Sequence, residues 1–111
     1  MIASTLVFTA QASAEPELSL QQLTSMRCAA AFAIVAGRQE DGNSEALAYP
    51  VLSRRGKEFF VRASAQTMEE AGLTREQISA VLSSEAQTLR DEDTIADVMP
   101  GCLLLLDASG F

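Results

Sequence analysis

Apolar side chains recur at helical spacing between Leu20 and Ala36 and leave little of that segment polar. Ser19 is a suitable N-cap and Gly37 a suitable residue to follow the last turn, so the pattern predicts a first helix over residues 20–36. Its apolar residues occupy two adjoining faces, Leu20, Leu23, Ala30, Ala31 and Ile34 on one and Cys28, Phe32 and Val35 on the other. Such a helix requires neighbours on two sides.

A polar turn over residues 38–44 separates this helix from a second one. Because proline fits the first turn of a helix, the second helix is predicted from Pro50 to Ala71, with Gly72 as its C-cap glycine. Gly56 falls on the apolar face of this helix. Since glycine costs about 1 kcal/mol relative to alanine within a helix, its presence predicts that another helix approaches closely there.

The third helix has the clearest start, because Thr74 and Gln77 have the spacing of a capping box. Its apolar stripe consists of Ile78, Val81, Leu82 and Leu89. Pro100 and Gly101 introduce a last short helix over residues 102–108, in which Leu103–Leu106 are expected to be buried. Helices of unequal length joined by short loops predict an all-α fold, a small bundle of about four helices.

Two charged residues interrupt the apolar stripes, Arg27 in the first helix and Glu85 in the third. An unpaired buried charge is costly, and a buried ion pair can specify an arrangement more than it stabilises it. We therefore expect an inter-helix ion pair that fixes the register of the two helices. The alternative is that Arg27 extends its charged end to solvent and Glu85 lies at the wet edge of its stripe.

The start of the chain resembles a secretory signal peptide. Residues 1–14 carry no charged side chain, include the apolar run Ile2–Ala10 and end in Ala12-Ser13-Ala14, a small-x-small cleavage site. No Lys or Arg precedes the run, and the alternative is a helix packed on the domain. We expect residues 1–14 to be removed and residues 15–111 to form a single helical domain in the periplasm or outside the cell.

Export determines how the two cysteines are interpreted. Cys28 and Cys102 form neither a CxxC redox pair nor a zinc knuckle. In an oxidising compartment they are expected to form one structural disulfide, which would link the first helix to the last. We therefore expect the Cys28 face of the first helix to meet the last helix, and the Arg27 face to meet the third. Two buried free thiols are the alternative.

Charge limits the classes of partner. With 8 basic and 15 acidic residues the net charge is −7, which argues against nucleic acid and anionic membrane surfaces as partners. The second helix nevertheless has a basic face that consists of Arg54, Arg55, Lys57 and Arg62. This face could bind an acidic or phosphate group, but a solvated surface with a Glu58–Arg62 pair is the simpler interpretation.

The residue types present exclude most catalytic chemistry. The chain has no histidine, which removes Ser-His-Asp and Cys-His sites and most zinc and haem ligation. Gly-rich phosphate loops are also missing from the sequence. Asp91, Asp93 and Asp97 could contribute to a calcium or magnesium site, but so few carboxylates do not complete a coordination shell. We expect no enzyme activity, no cofactor and no metal site.

Three functions remain. The first is a non-catalytic protein-interaction module of the bacterial envelope, such as an inhibitor, an immunity-like protein or an accessory subunit. The second follows from general build, because a small exported helical chain with one disulfide resembles the HdeA type of acid-stress chaperone, although the cysteines are farther apart here. That resemblance implies unfolding at low pH. The third is a carrier of a small apolar ligand that uses Phe32, Phe59, Phe60 and Met68.

Overall fold

The computed structural model describes residues 3–4 and 17–111. Within this part the chain forms α-helices and no strand, which confirms the predicted all-α fold. The helices are α1 (Leu20–Glu40), α2 (Ser44–Leu47), α3 (Arg55–Ala71), α4 (Arg75–Asp91) and α5 (Ile95–Ala108). The four longer helices are the predicted ones, and α2 adds a single turn. Apart from Ala3 and Ser4, the predicted signal peptide lies outside the described residues.

Helix α1 is the centre of the fold and contacts each of the other four described helices. Its start is fixed by a capping box, in which the Gln22 N–H donates to Ser19 Oγ at 3.1 Å and the Ser19 N–H donates to Gln22 Oε1 at 2.9 Å. The predicted end at Ala36 is wrong. The helix continues through Gly37 to Glu40, and Gly42, with a φ of 76°, takes the left-handed conformation instead.

The side chain of Gln39 explains why α1 is longer and α3 shorter than predicted. Its amide nitrogen donates to the carbonyl oxygens of Ala46 at 3.0 Å and Pro50 at 2.9 Å, and its carbonyl oxygen accepts from the Leu52 N–H at 3.1 Å. These bonds hold residues 46–52 as an ordered connection. The predicted start of α3 at Pro50 is therefore wrong, and the helix begins at Arg55.

The connection between α3 and α4 follows the sequence signals. Gly72 has a φ of 67° and caps α3 in the left-handed conformation. Thr74 and Gln77 form the predicted capping box at the start of α4, with bonds of 3.1 and 2.9 Å. Helix α3 packs on α1 at Phe32, whose ring meets that of Phe59 edge to face with centroids 5.2 Å apart. The Phe32 face of α1 therefore meets α3.

Helix α5 begins at Ile95, seven residues before the predicted start at Cys102, and includes Pro100. Proline lacks the N–H that would bond to the carbonyl of Ala96. Both residues are exposed, so water can satisfy that carbonyl. The buried side consists of Ile95, Met99, Cys102 and Leu106. The expectation that Leu103–Leu106 are all buried is wrong, because Leu104 is 72% exposed.

No helix in the described part of the chain is long and apolar enough to cross a membrane.

Candidate functional site

The two cysteines form a disulfide, as predicted, between α1 and α5. Their Cα atoms lie 5.2 Å apart, and the residues are only 3% and 2% exposed. No thiol is left over, since both cysteines of the sequence are used. A buried disulfide with no nearby thiolate fits a structural role, because exchange requires an attacking thiolate to reach a sulfur atom.

The structure brings Arg27 and Glu85 together across the interface of α1 and α4. Arg27 Nε lies 3.3 Å from Glu85 Oε2, while the two side chains are 49% and 16% exposed. The arginine thus reaches the carboxylate and also contacts solvent. Pairs with this exposure contribute about 0.2–1 kcal/mol. Its role in fixing the helix register stays a prediction.

The basic face of α3 contacts the end of α5 and the segment that follows it. Arg55 donates from Nη2 to Asp107 Oδ1 at 2.8 Å and from Nε to the main-chain oxygen of Phe111 at 2.5 Å. Arg62 pairs with Glu58 at 3.1 Å, and its guanidinium lies 4.7 Å from the centre of the Phe111 ring. Two of the four cations on this face are thus used within the fold.

The aromatic residues considered for an apolar ligand have different environments. Phe32 and Phe59 are buried against each other in the core. Met68 is partly buried on α3, and Phe60 lines an open surface groove. The structure therefore does not bring these four side chains to one cavity within the described part of the chain.

That groove extends along one side of α1. It consists of a cavity of about 440 Å³ between α1 and the start of α3, and one of about 380 Å³ between α1, α3 and α4, which meet at Ala33 and Phe60. Hereafter it is the α1 groove. Ala33 and Gly37 of α1 form its floor, Phe60 its α3 side, and Leu82 and Ala86 its α4 side.

A second, more polar cavity of about 360 Å³ lies between the start of α1, α3 and the end of α5. Hereafter it is the polar pocket, lined by Gln22, Gln66, Thr67 and Glu70 together with Phe111. Gln66 donates to Glu70 Oε1 at 2.7 Å and Gln22 donates to Glu70 Oε2 at 3.2 Å. These hydrogen bonds, that of Gln66 first, hold the pKa of the Glu70 carboxyl below its usual range.

The acidic residues considered for a metal are all exposed: Asp91, Asp93 and Asp97 lie at the end of α4 and the start of α5. Among the residues that the structure describes, no group of three or more Cys, Asp or Glu side chains is placed to hold a metal ion. Asp93 has a φ of 53°, which places it in the turn between the helices.

Sequence reasoning missed both cavities. A signal for the α1 groove exists in the spacing of Ala30, Ala33 and Gly37, three small residues on one side of α1. The polar pocket has no comparable signal, because its residues come from three helices. No family model matches the chain, and comparison with curated proteins and with solved structures gives no match.

Proposed function

We propose that this chain is a non-catalytic protein-interaction module of the bacterial envelope that binds a helix of a partner protein in the α1 groove. The observation that carries the proposal is that small residues of the central helix are exposed at the floor of a groove between helices. Ala33 and Gly37 are exposed, and no other described element of the chain covers them. Apolar surface that lies in a groove between helices is one of the features found at sites of protein interaction.

The dimensions of the groove suit a helix. From Ala30 to Glu40 the floor extends about 15 Å, which corresponds to nearly three helical turns. Small side chains on the floor allow a second helix axis to approach within about 8–10 Å, the usual packing distance. Helix-in-groove binding uses this combination of an apolar groove and an amphipathic partner helix.

The openness of the groove favours a protein partner over a carried small ligand. Sites for small molecules enclose about 70–90% of the ligand surface. The α1 groove is open to solvent along its length, so a small apolar ligand would remain largely wet. A docked partner helix would have its outward side covered by the rest of the partner protein.

Charges at the groove indicate the chemistry of the partner helix. Lys57 lines one end and Arg90 the other, and neither forms an ion pair with another residue of the described part. Glu40 is the single carboxylate on the lining, so the groove is net positive on a chain of net charge −7. The partner is therefore a helix whose apolar stripe is flanked by carboxylates.

Support for an envelope location comes from two features. The disulfide is typical of proteins that fold in an oxidising compartment. The predicted signal peptide over residues 1–14 points to the same compartment.

Substitution of the groove floor tests the function. The tagged wild-type chain and its Ala33→Glu and Ala65→Glu variants are each incubated with envelope extract. The amount of each captured protein is then compared between the two variants. Ala65 is an exposed residue of α3 that lines neither cavity, so it is a matched control. We expect one stoichiometric partner. The Ala65→Glu variant should bind it like wild type, whereas Ala33→Glu should bind it at least about tenfold more weakly, because burial of an unpaired carboxylate under a partner helix is costly.

Charge reversal tests the partner chemistry. Lys57→Glu and Arg90→Glu should each weaken binding several-fold at low salt and less at high salt, whereas Arg54→Glu and Arg75→Glu outside the groove should not. Circular dichroism confirms that each variant is folded. A partner bound equally by Ala33→Glu and wild type, or no stoichiometric partner at all, would contradict the proposed function.

A further inference from the structure

The polar pocket lies apart from the α1 groove and shares no lining residue with it. Its volume of about 360 Å³ falls in the range of small-molecule sites. The start of α1, the middle of α3 and the end of α5 converge on it. Helical side chains therefore surround this cavity on three sides.

Thr67 indicates that the pocket is suited to a hydrogen-bonding ligand. This residue of α3 is 3% exposed and lines the pocket. A hydroxyl can donate one bond and accept two, so the Thr67 hydroxyl can bond to a ligand in the pocket.

Three planar side chains are already positioned beside Thr67. The amides of Gln66 and Gln22 hold the two oxygens of Glu70 at 2.7 and 3.2 Å. Each amide keeps a second N–H for another partner, Gln66 also keeps its carbonyl oxygen, and a carboxylate accepts about four bonds. The pocket thus presents several donors and acceptors that already bond to one another, and such preorganisation lowers the entropic cost of binding.

Part of the pocket lining is apolar. Phe59, Leu105 and Phe111 line it, with the guanidinium of Arg62 at 4.7 Å from the centre of the Phe111 ring. The electron-rich face of an aromatic ring attracts the positive edge of a partner. The charged residues that line the pocket are Arg62 and Glu70, and their net charge is zero.

From these observations we propose that the polar pocket binds a neutral saccharide. Sugar hydroxyls both donate and accept, as the amides, the carboxylate and Thr67 require, while the C–H faces of a sugar ring suit the aromatic side. A peptide would instead present alternating main-chain groups, which are usually met by a strand edge or a line of main-chain partners. The pocket is formed by side chains of helices.

Titration of the ¹⁵N-labelled full chain with N,N′-diacetylchitobiose, maltose and sucrose tests the proposal. We expect at least one of them to shift the amide signals of residues 66–70 while those of Ala33 and Gly37 do not move. Thr67→Val keeps the side-chain shape and should weaken that binding about tenfold, the effect of one lost hydrogen bond in a buried site. Thr88→Val, at an exposed site on α4, is the matched control and should bind like wild type.

A second pair of variants tests the proposal if Thr67→Val does not fold. Gln66→Ala should weaken binding, whereas Gln87→Ala, also exposed but on α4, should not. The proposal is overturned if no saccharide shifts these signals, or if the pocket variants bind like wild type. Shifts produced by trialanine and by none of the saccharides would assign the pocket to peptides instead.

Discussion

Replacement of Gly56 by alanine tests how closely α1 and α3 approach. Gly56 is the second residue of α3 and is buried. A Cβ added there would lie 3.2 Å from the Cβ of Phe32 and 3.2 Å from the Cβ of Leu52. Both neighbours are Cβ atoms next to the main chain, so no rotation of a side chain can make room. The backbones themselves would have to move apart.

Two opposing free energies decide the result. Alanine in a helix is more favourable than glycine by up to about 1 kcal/mol. Overpacking of a core that cannot yield costs about 1–3 kcal/mol. Since Phe32 and Leu52 are almost fully buried, we expect overpacking to dominate and Gly56→Ala to lower the free energy of unfolding by about 1 kcal/mol.

Gly101→Ala is the matched control. Gly101 is exposed within α5, and no described atom lies within 4 Å of a Cβ added there. Only the gain in helix propensity applies, so this variant should be stabilised by about 0.5–1 kcal/mol. Urea denaturation followed by circular dichroism, at equal m values, gives both numbers. If Gly56→Ala were stabilised as much as Gly101→Ala, the close contact of α1 and α3 would be refuted.

Three further predictions concern the disulfide and two charged groups. The disulfide joins residues that are 74 positions apart. In the chain-entropy model, the double variant Cys28→Ala with Cys102→Ala should therefore lower the free energy of unfolding by about 4.5 kcal/mol. A loss below about 1 kcal/mol would contradict this structural role of the disulfide. A double-mutant cycle of Arg27→Ala and Glu85→Ala should give a coupling free energy of about 0.2–1 kcal/mol. This coupling should become smaller in high salt, because the Arg27 side chain is half exposed. A coupling free energy that does not change with salt would contradict that exposure. The hydrogen bonds from Gln66 and Gln22 lower the pKa of Glu70, so its contribution to stability is present above its usual pKa and is lost as the pH falls through the lower folded-state pKa. Glu70→Gln should therefore flatten the pH dependence of unfolding over that acidic range, and an unchanged profile would count against the amide contacts.

The last experiment also bears on the acid-stress alternative. An acid-stress chaperone would unfold near pH 3 and then bind aggregating clients, because its carboxylates lose their charge. The helix-docking proposal requires the folded chain at neutral pH. Client binding that appears only after acid unfolding would favour the chaperone.

Local signals in the sequence predicted the helix ends that depend on neighbouring residues. Thr74 and Gln77 form a capping box wherever a helix starts beside them, and Gly72 takes the left-handed conformation at low cost. The disulfide also followed from composition and the expected compartment. These features require no knowledge of the tertiary fold.

Tertiary contacts explain the errors. Gly37 is a plausible helix end in isolation, but Gln39 binds the connection ahead of α3 and keeps α1 helical beyond it. Pro100 suggests a helix start, yet the apolar spacing of Ile95, Met99, Cys102 and Leu106 continues across it. The α1 groove likewise depends on how far α3 and α4 diverge, which no segment encodes alone.

Site-specific photocrosslinking tests the helix-docking proposal most directly. A photoreactive side chain is placed at position 33 on the groove floor, in place of Ala33, and in a second chain at position 65 in place of Ala65, and both are irradiated in the cell envelope. The proposal predicts one protein adduct of defined mass from position 33, with the crosslink mapped to a helix that carries carboxylates beside its apolar stripe. Equal adducts from both positions, or none from position 33, would contradict it.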